Sequence, residues 1–125
     1  MRLLLDTHIV IWWLDDQSGI PSPARRAIRE PKNDVFVSAA TAWEMAIKHA
    51  QGKLRTPGNL ERELRAESIV ELPITLEHAV AAGALPLLHD DPFDRMLIAQ
   101  TQLEQLTLVT VDRVFRRYEV AVLGV

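Results

Sequence analysis

Residues 90–112, DDPFDRMLIAQTQLEQLTLVTVD, contain the pattern that decides the fold. Asp91 is placed to cap a helix, and Pro92 suits its first position because its ring already holds the helical φ. Asp94 falls in the first turn, at the positive end of the helix dipole. Met96, Leu97, Ala99, Gln100 and Leu103 then carry the helix forward at 3.6-residue spacing. After a short break, Thr107–Thr110 form a nearly continuous aliphatic run, as in a strand covered on both faces. A helix feeding a buried strand is half of a crossover unit, and crossover units join parallel strands.

The same alternation extends to both sides. RLLLD (2–6), VFVS (35–38), IVELPI (69–74) and VAVL (120–123) read as further strands. Between them, IVIWWL (9–14) reads as a helix. Trp43, Ala46, Ile47 and Ala50 mark another, between Ser38 as cap and Gly52 as stop, with Trp43–Ala46–Ile47 expected as its buried stripe. Leu76, Ala79, Val80 and Gly83 mark a third, ending before Pro86. A short helix should follow Asp112. Pro-containing loops at 20–23, 31–34 and 56–59 connect elements of one domain spanning 1–125. The expectation is an α/β fold with a mostly parallel sheet between helical layers.

Composition narrows the function. With 48% hydrophobic and 25% charged residues the chain is globular. It has no cysteine, which excludes disulfides, thiolate zinc sites and a cysteine nucleophile, and suits a reducing cytoplasm. In MRLLLDTHIVIWWL, Asp6 and His8 leave apolar runs too short to span a bilayer, so a soluble, cytoplasmic protein with no membrane segment is expected. The net charge of −3 weighs against an all-basic nucleic-acid face. The charges are unevenly spread, however. RVFRRY (113–118) gathers three arginines, and Lys48, Lys53 and Arg55 form a second basic group.

The carboxylates carry the chemistry. In a parallel sheet the strand C-termini share one edge, where open α/β folds place their sites. Asp6 ends the first strand, and Asp112 follows the strand of LVTVD. Asp94 opens a helix antiparallel to the strands, so it should rise at the same edge. Glu44 lies about 9 Å into its helix at 1.5 Å per residue. An i,i+4 pair with Lys48 would explain Glu44 for a few tenths of a kcal/mol, and capping would explain each aspartate singly. Together they raise a sharper question. Two carboxylates about 4 Å apart repel by roughly 4 kcal/mol at an effective dielectric near 20. Several must therefore take up protons or hold a cation. An all-oxygen donor set suits Mg²⁺ or Mn²⁺ rather than Zn²⁺.

Four blocks, LLLDTH, SAATAWEMAIKHAQGKL, DPFDRMLIAQ and LVTVD, stand in an order and spacing that resemble the PIN-domain ribonucleases, from about residue 2 to about residue 118. The nearest resemblance is to the VapC branch, the toxins of bacterial and archaeal toxin–antitoxin pairs. It implies an α/β/α sandwich and Mg²⁺- or Mn²⁺-dependent hydrolysis of RNA phosphodiester bonds. It carries the family's acidic set onto Asp6, Glu44, Asp94 and Asp112, with Thr7 and Thr110 as supporting hydroxyls and Asp91 left as a cap. Lys48, Arg95, Arg113 and Arg116 become candidates for contacting the RNA backbone. The run IVIWWL covers more than one helical face, with Trp12 and Trp13 pointing about 100° apart. The resemblance makes these two tryptophans candidates for an antitoxin groove, and it implies a homodimer. An antitoxin arginine entering the acidic site would account for inhibition.

Other classes fit less well. A phosphoacceptor domain needs a lysine after its last strands, and the final lysine here is Lys53. An Asp-x-Asp phosphatase needs a second acid where residues 6–8 read Asp-Thr-His. The remaining alternative is a non-catalytic acidic module that captures a basic partner peptide.

Overall fold

Among the described residues the aliphatic runs become five strands: β1 (Arg2–Leu5), β2 (Asp34–Ser38), β3 (Val70–Leu72), β4 (Thr107–Val109) and β5 (Ala121–Leu123). The computed structural model describes residues 1–55 and 58–125. Its sheet has the order β3-β2-β1-β4-β5, and every pairing is parallel. In the centre, Leu4 lies opposite Phe36 on one side and Leu108 on the other. The run 69–74 supplies only the three residues of β3. Pro73 follows immediately, and it has no N–H to continue the ladder.

Among the described residues, six α-helices surround the sheet: α1 (Thr7–Leu14), α2 (Ser22–Arg29), α3 (Ala39–Ala50), α4 (Leu60–Ala66), α5 (Leu76–Ala84) and α6 (Pro92–Leu103). A 3-10 turn, Arg113–Arg117, follows Asp112. The layering follows from the pleat of β1, whose neighbouring side chains face opposite ways. Leu3 and Leu5 pack with Ile9, Val10, Trp13 and Met45 on one side. Leu4 packs with Leu97, Ile98, Leu108 and Phe115 on the other. Both faces of the strand are thus apolar and covered, giving an α/β/α sandwich.

Two expectations change. The stretch 20–23, read as a loop, already contains the start of α2, with Pro23 in its first turn. Of the loop at 56–59, residues 56 and 57 lie outside the described residues. Helices α2 and α4 bury little, Ala24 and Ile28 in one and Leu64 in the other, which is too sparse a stripe to register as a period. The larger change is the face of α3. Its buried residues are Ala40, Thr41 and Met45, whereas Trp43 is 63% exposed. Small residues on all sides of AATAWEMA blur the apolar period. The buried face is the one that carries Met45 into the core with Leu3 and Leu5 and brings the Thr41 hydroxyl within 3.2 Å of that of Thr7.

Candidate active site

Asp6 leaves β1 in extended conformation at the cap position of α1, yet its carboxylate makes no capping bond. The strand pairing holds its backbone, because the Asp6 amide donates to the Val109 carbonyl at 3.0 Å. The carboxylate is only 3% exposed, and the Thr110 hydroxyl donates to Oδ2 at 2.8 Å. The same hydroxyl accepts the Asp112 amide at 3.0 Å. Thr110 thereby ties the first acid to the backbone of the last.

A second set of hydroxyls holds Glu44. Thr7 donates to its Oε1 at 2.7 Å, and Thr41 in turn supports Thr7. Lys48 Nζ lies 3.0 Å from Oε2, so the i,i+4 pair forms as well. Asp91 caps α6, its Oδ1 accepting the Asp94 amide at 2.9 Å. That division of labour frees the Asp94 carboxylate from capping. His89 Nε2 lies 2.8 Å from Asp94 Oδ2.

Three of the acids act on one another. Burial pushes Asp6 above the usual carboxylate range, and the Glu44 charge adds to this, while Thr110, His8 and the Thr7 amide oppose it. Asp94 is pushed up to about 6, first by burial and then by the charges of Asp91 and Asp6, against the pull of His89. Carboxylates that resist ionisation in a shared pocket are what a bound cation would relieve. Asp112 is the outlier: it is exposed, and its Oδ1 caps the 3-10 turn by accepting the Val114 amide at 3.0 Å. Among the described residues, no three acidic or imidazole side chains converge closely enough, as they lie, to enclose an ion. The donor chemistry is nevertheless hard oxygen throughout, with His89 at its margin.

The basic candidates separate sharply. Arg95 is 8% exposed and faces inward. Its Nη1 donates to the carbonyls of Pro86 and His89, and its Nη2 to those of Ala82 and Leu85. It therefore clasps the segment leading to His89 and cannot also hold an RNA backbone, which corrects that assignment. Arg113 and Arg116 are exposed on the 3-10 turn. Trp13 is also corrected as a groove residue. It is buried in the core, its Nε1 donates to Glu67 at 3.3 Å, and the Arg29 guanidinium lies 5.5 Å from its ring. Trp12 is half-buried, tilted against the His8 ring. A groove does open beside α1, lined by Ile11, Leu14, Met45, Lys53 and Leu54.

His89 and Thr41 were not legible as site residues. Thr41 had a signal, since it lies three residues before Glu44 and so on the same helical face. His89 had none, because a loop residue ahead of a helix follows no period.

The PIN domain family model matches residues 3–121. The chain belongs to the PIN-domain family. Ribonuclease VapC22 of Mycobacterium tuberculosis is 30% identical over 119 residues, covering 93% of this chain and 91% of that one. Solved structures share the fold of this PIN domain. One is VapBC2 from Rickettsia felis bound to a DNA fragment from its promoter, with TM-score 0.72, 14% identity and 98% of each chain covered. Another is VapBC-1 from nontypeable Haemophilus influenzae, with TM-score 0.66, 19% identity, and 99% and 98% covered. Among the described residues, no helix of this PIN domain is long and apolar enough to cross a membrane.

Proposed function

We propose that this PIN domain is a metal-dependent endoribonuclease, the toxin of a toxin–antitoxin pair, that hydrolyses RNA phosphodiester bonds in the cytoplasm. The observation that carries the reading is the pair Asp6 and Asp94. They come from different elements, both are raised by burial, and the Asp6 charge raises Asp94 further. The 30% identity to a VapC ribonuclease over nearly the whole chain supports the same reading.

Asp6, Glu44, Asp94 and Asp112 would hold Mg²⁺ or Mn²⁺. Such an ion lowers the pKa of bound water and neutralises charge on the phosphate. The chain's own contribution is orientation. Thr110 fixes one oxygen of Asp6, Thr7 and Lys48 fix both oxygens of Glu44, and His89 fixes one of Asp94. Arg113 and Arg116, exposed next to Asp112, are the basic groups available to an RNA backbone. For the antitoxin, the apolar floor of Ile11, Leu14, Met45 and Leu54 suits one face of an amphipathic segment. A homodimer completes the assembly.

The test is cleavage of labelled structured RNAs by purified, partner-free protein with Mg²⁺ or Mn²⁺. Wild type should cleave, and EDTA or Asp94→Asn should each abolish it. Equal cleavage by wild type and variant would remove Asp94 from the site. Absence of cleavage, with tight binding of a basic peptide, would favour the non-catalytic module.

A further inference from the structure

Of the three tryptophans, Trp13 is buried, Trp12 is half-buried and Trp43 alone is exposed. It adjoins Glu44 on α3, yet it is 63% exposed. A tryptophan left in water forgoes the burial that usually dominates its energetics, so what its ring meets is informative. It meets Phe93, the residue beside Asp94 at the start of α6. Their centroids are 5.2 Å apart and their planes cross at 70°. This edge-to-face contact is a favoured aromatic geometry and orients the indole. The pair thus joins the two helices that carry Glu44 and Asp94, on the solvent side. Most of the indole surface stays open.

Building on the ribonuclease reading above, we propose that Trp43, braced by Phe93, is a stacking platform for an unpaired nucleobase next to the phosphate that the acids act upon. The occupant follows from the neighbours. A site that takes a phosphodiester brings with it bases one sugar away from that phosphate. Single-stranded RNA presents such bases unstacked, and proteins receive them on aromatic faces. Every base has a π-face, so the platform supplies affinity and register along the strand rather than base identity.

The experiment is metal-dependent cleavage of an unstructured, labelled oligoribonucleotide by wild type, Trp43→Ala, Trp43→Leu and Trp43→Phe, with sedimentation and melting measured alongside. Trp43→Ala and Trp43→Leu should raise KM roughly five- to hundredfold with melting lowered by no more than a few degrees from the lost contact with Phe93, and Trp43→Phe should restore most of the loss. Leucine keeps apolar bulk without a π-face, so its failure separates stacking from packing. An abasic nucleotide beside the cleaved bond should reproduce the loss in wild type and add nothing further in Trp43→Ala. An unchanged KM in Trp43→Ala overturns the platform while leaving the nuclease reading intact. A switch in self-association with KM unchanged also overturns it, and shows that a second copy of the chain covers the aromatics. Should wild type cleave no RNA, the nuclease reading fails. Binding of the same oligonucleotide in EDTA then judges the platform: the same variant order sustains it, and equal or absent binding overturns it.

Discussion

The dipeptide Asp-Arg occurs near the start of two elements, at 94–95 in α6 and at 112–113 where the 3-10 turn begins, and the two copies have opposite fates. Asp94 is drawn into the pocket and pushed up to about 6, while Arg95 beside it is clasped by backbone carbonyls. Asp112 and Arg113 both lie exposed. The difference lies in who caps. In α6, Asp91 caps the helix by accepting the Asp94 amide, so the Asp94 carboxylate is free to meet His89 and to feel the Asp6 charge. At the 3-10 turn Asp112 must satisfy the Val114 amide itself. Helix length matters too. The twelve residues of α6 pack against α5 and can bury an arginine under the 82–89 segment, which a five-residue turn cannot do.

The sharpest way to break this comparison is to exchange the arginines for leucine. Arg95→Leu leaves the Ala82 and Leu85 carbonyls without their donor, each worth about 1–3 kcal/mol. It should lower unfolding stability by roughly 3–5 kcal/mol in urea titration. Arg113→Leu should stay within about 0.5 kcal/mol. Equal losses would mean that burial of Arg95 contributes nothing particular. Arg95→Lys should recover little, because one ammonium cannot reproduce a planar fork.

The acids come next. Asp94→Asn should reduce metal-dependent RNA cleavage by more than about a hundredfold, beyond the ten- to hundredfold typical of residues that only support a ligand. Asp112→Asn should fall within that supporting range. If the two single-turnover rates drop alike, the exposed aspartate is as central as the buried one.

A third contrast uses pH. The native value of about 6 for Asp94 stands above the ordinary 3.8, so the folded state binds this proton more tightly than the unfolded chain. The resulting stabilisation is complete below about pH 4 and is lost as pH rises through 6. In EDTA at pH 7.5, Asp94→Asn should therefore be more stable than wild type by about 2 kcal/mol, solvent screening of the half-buried carboxylate reducing the full conversion of about 3 kcal/mol. The gap should close at pH 4. Melting curves at the two pH values check the sign, and a gap that widens on acidification would refute the burial argument.

The smallest effect concerns the exposed arginines. Arg113→Ala with Arg116→Ala should weaken RNA binding modestly and flatten its dependence on log salt by about 0.7 per lost phosphate contact. An unchanged slope would leave the 3-10 turn out of the RNA path.

That parallel strands form a sheet with acids along one edge was legible from local pattern alone. Aliphatic-rich runs at 2–6, 35–38 and 107–110 are short enough to read as strands covered on both sides, and the helices between them favour parallel pairing. Asp6, Asp94 and Asp112 were legible because they sit at the ends of such elements, and Ser38 and Asp91 because capping is local chemistry. Tertiary structure decided what has no local signal. The inward turn of Arg95 depends on carbonyls 6 to 13 residues away. The rotation of α3 that exposes Trp43 carries Met45 into the core and Thr41 to a hydroxyl of α1. His89 reaches Asp94 only because the clasped segment carries it there. Periodicity reports how much apolar surface an element must bury, but which neighbour meets each polar atom is settled only when the layers close.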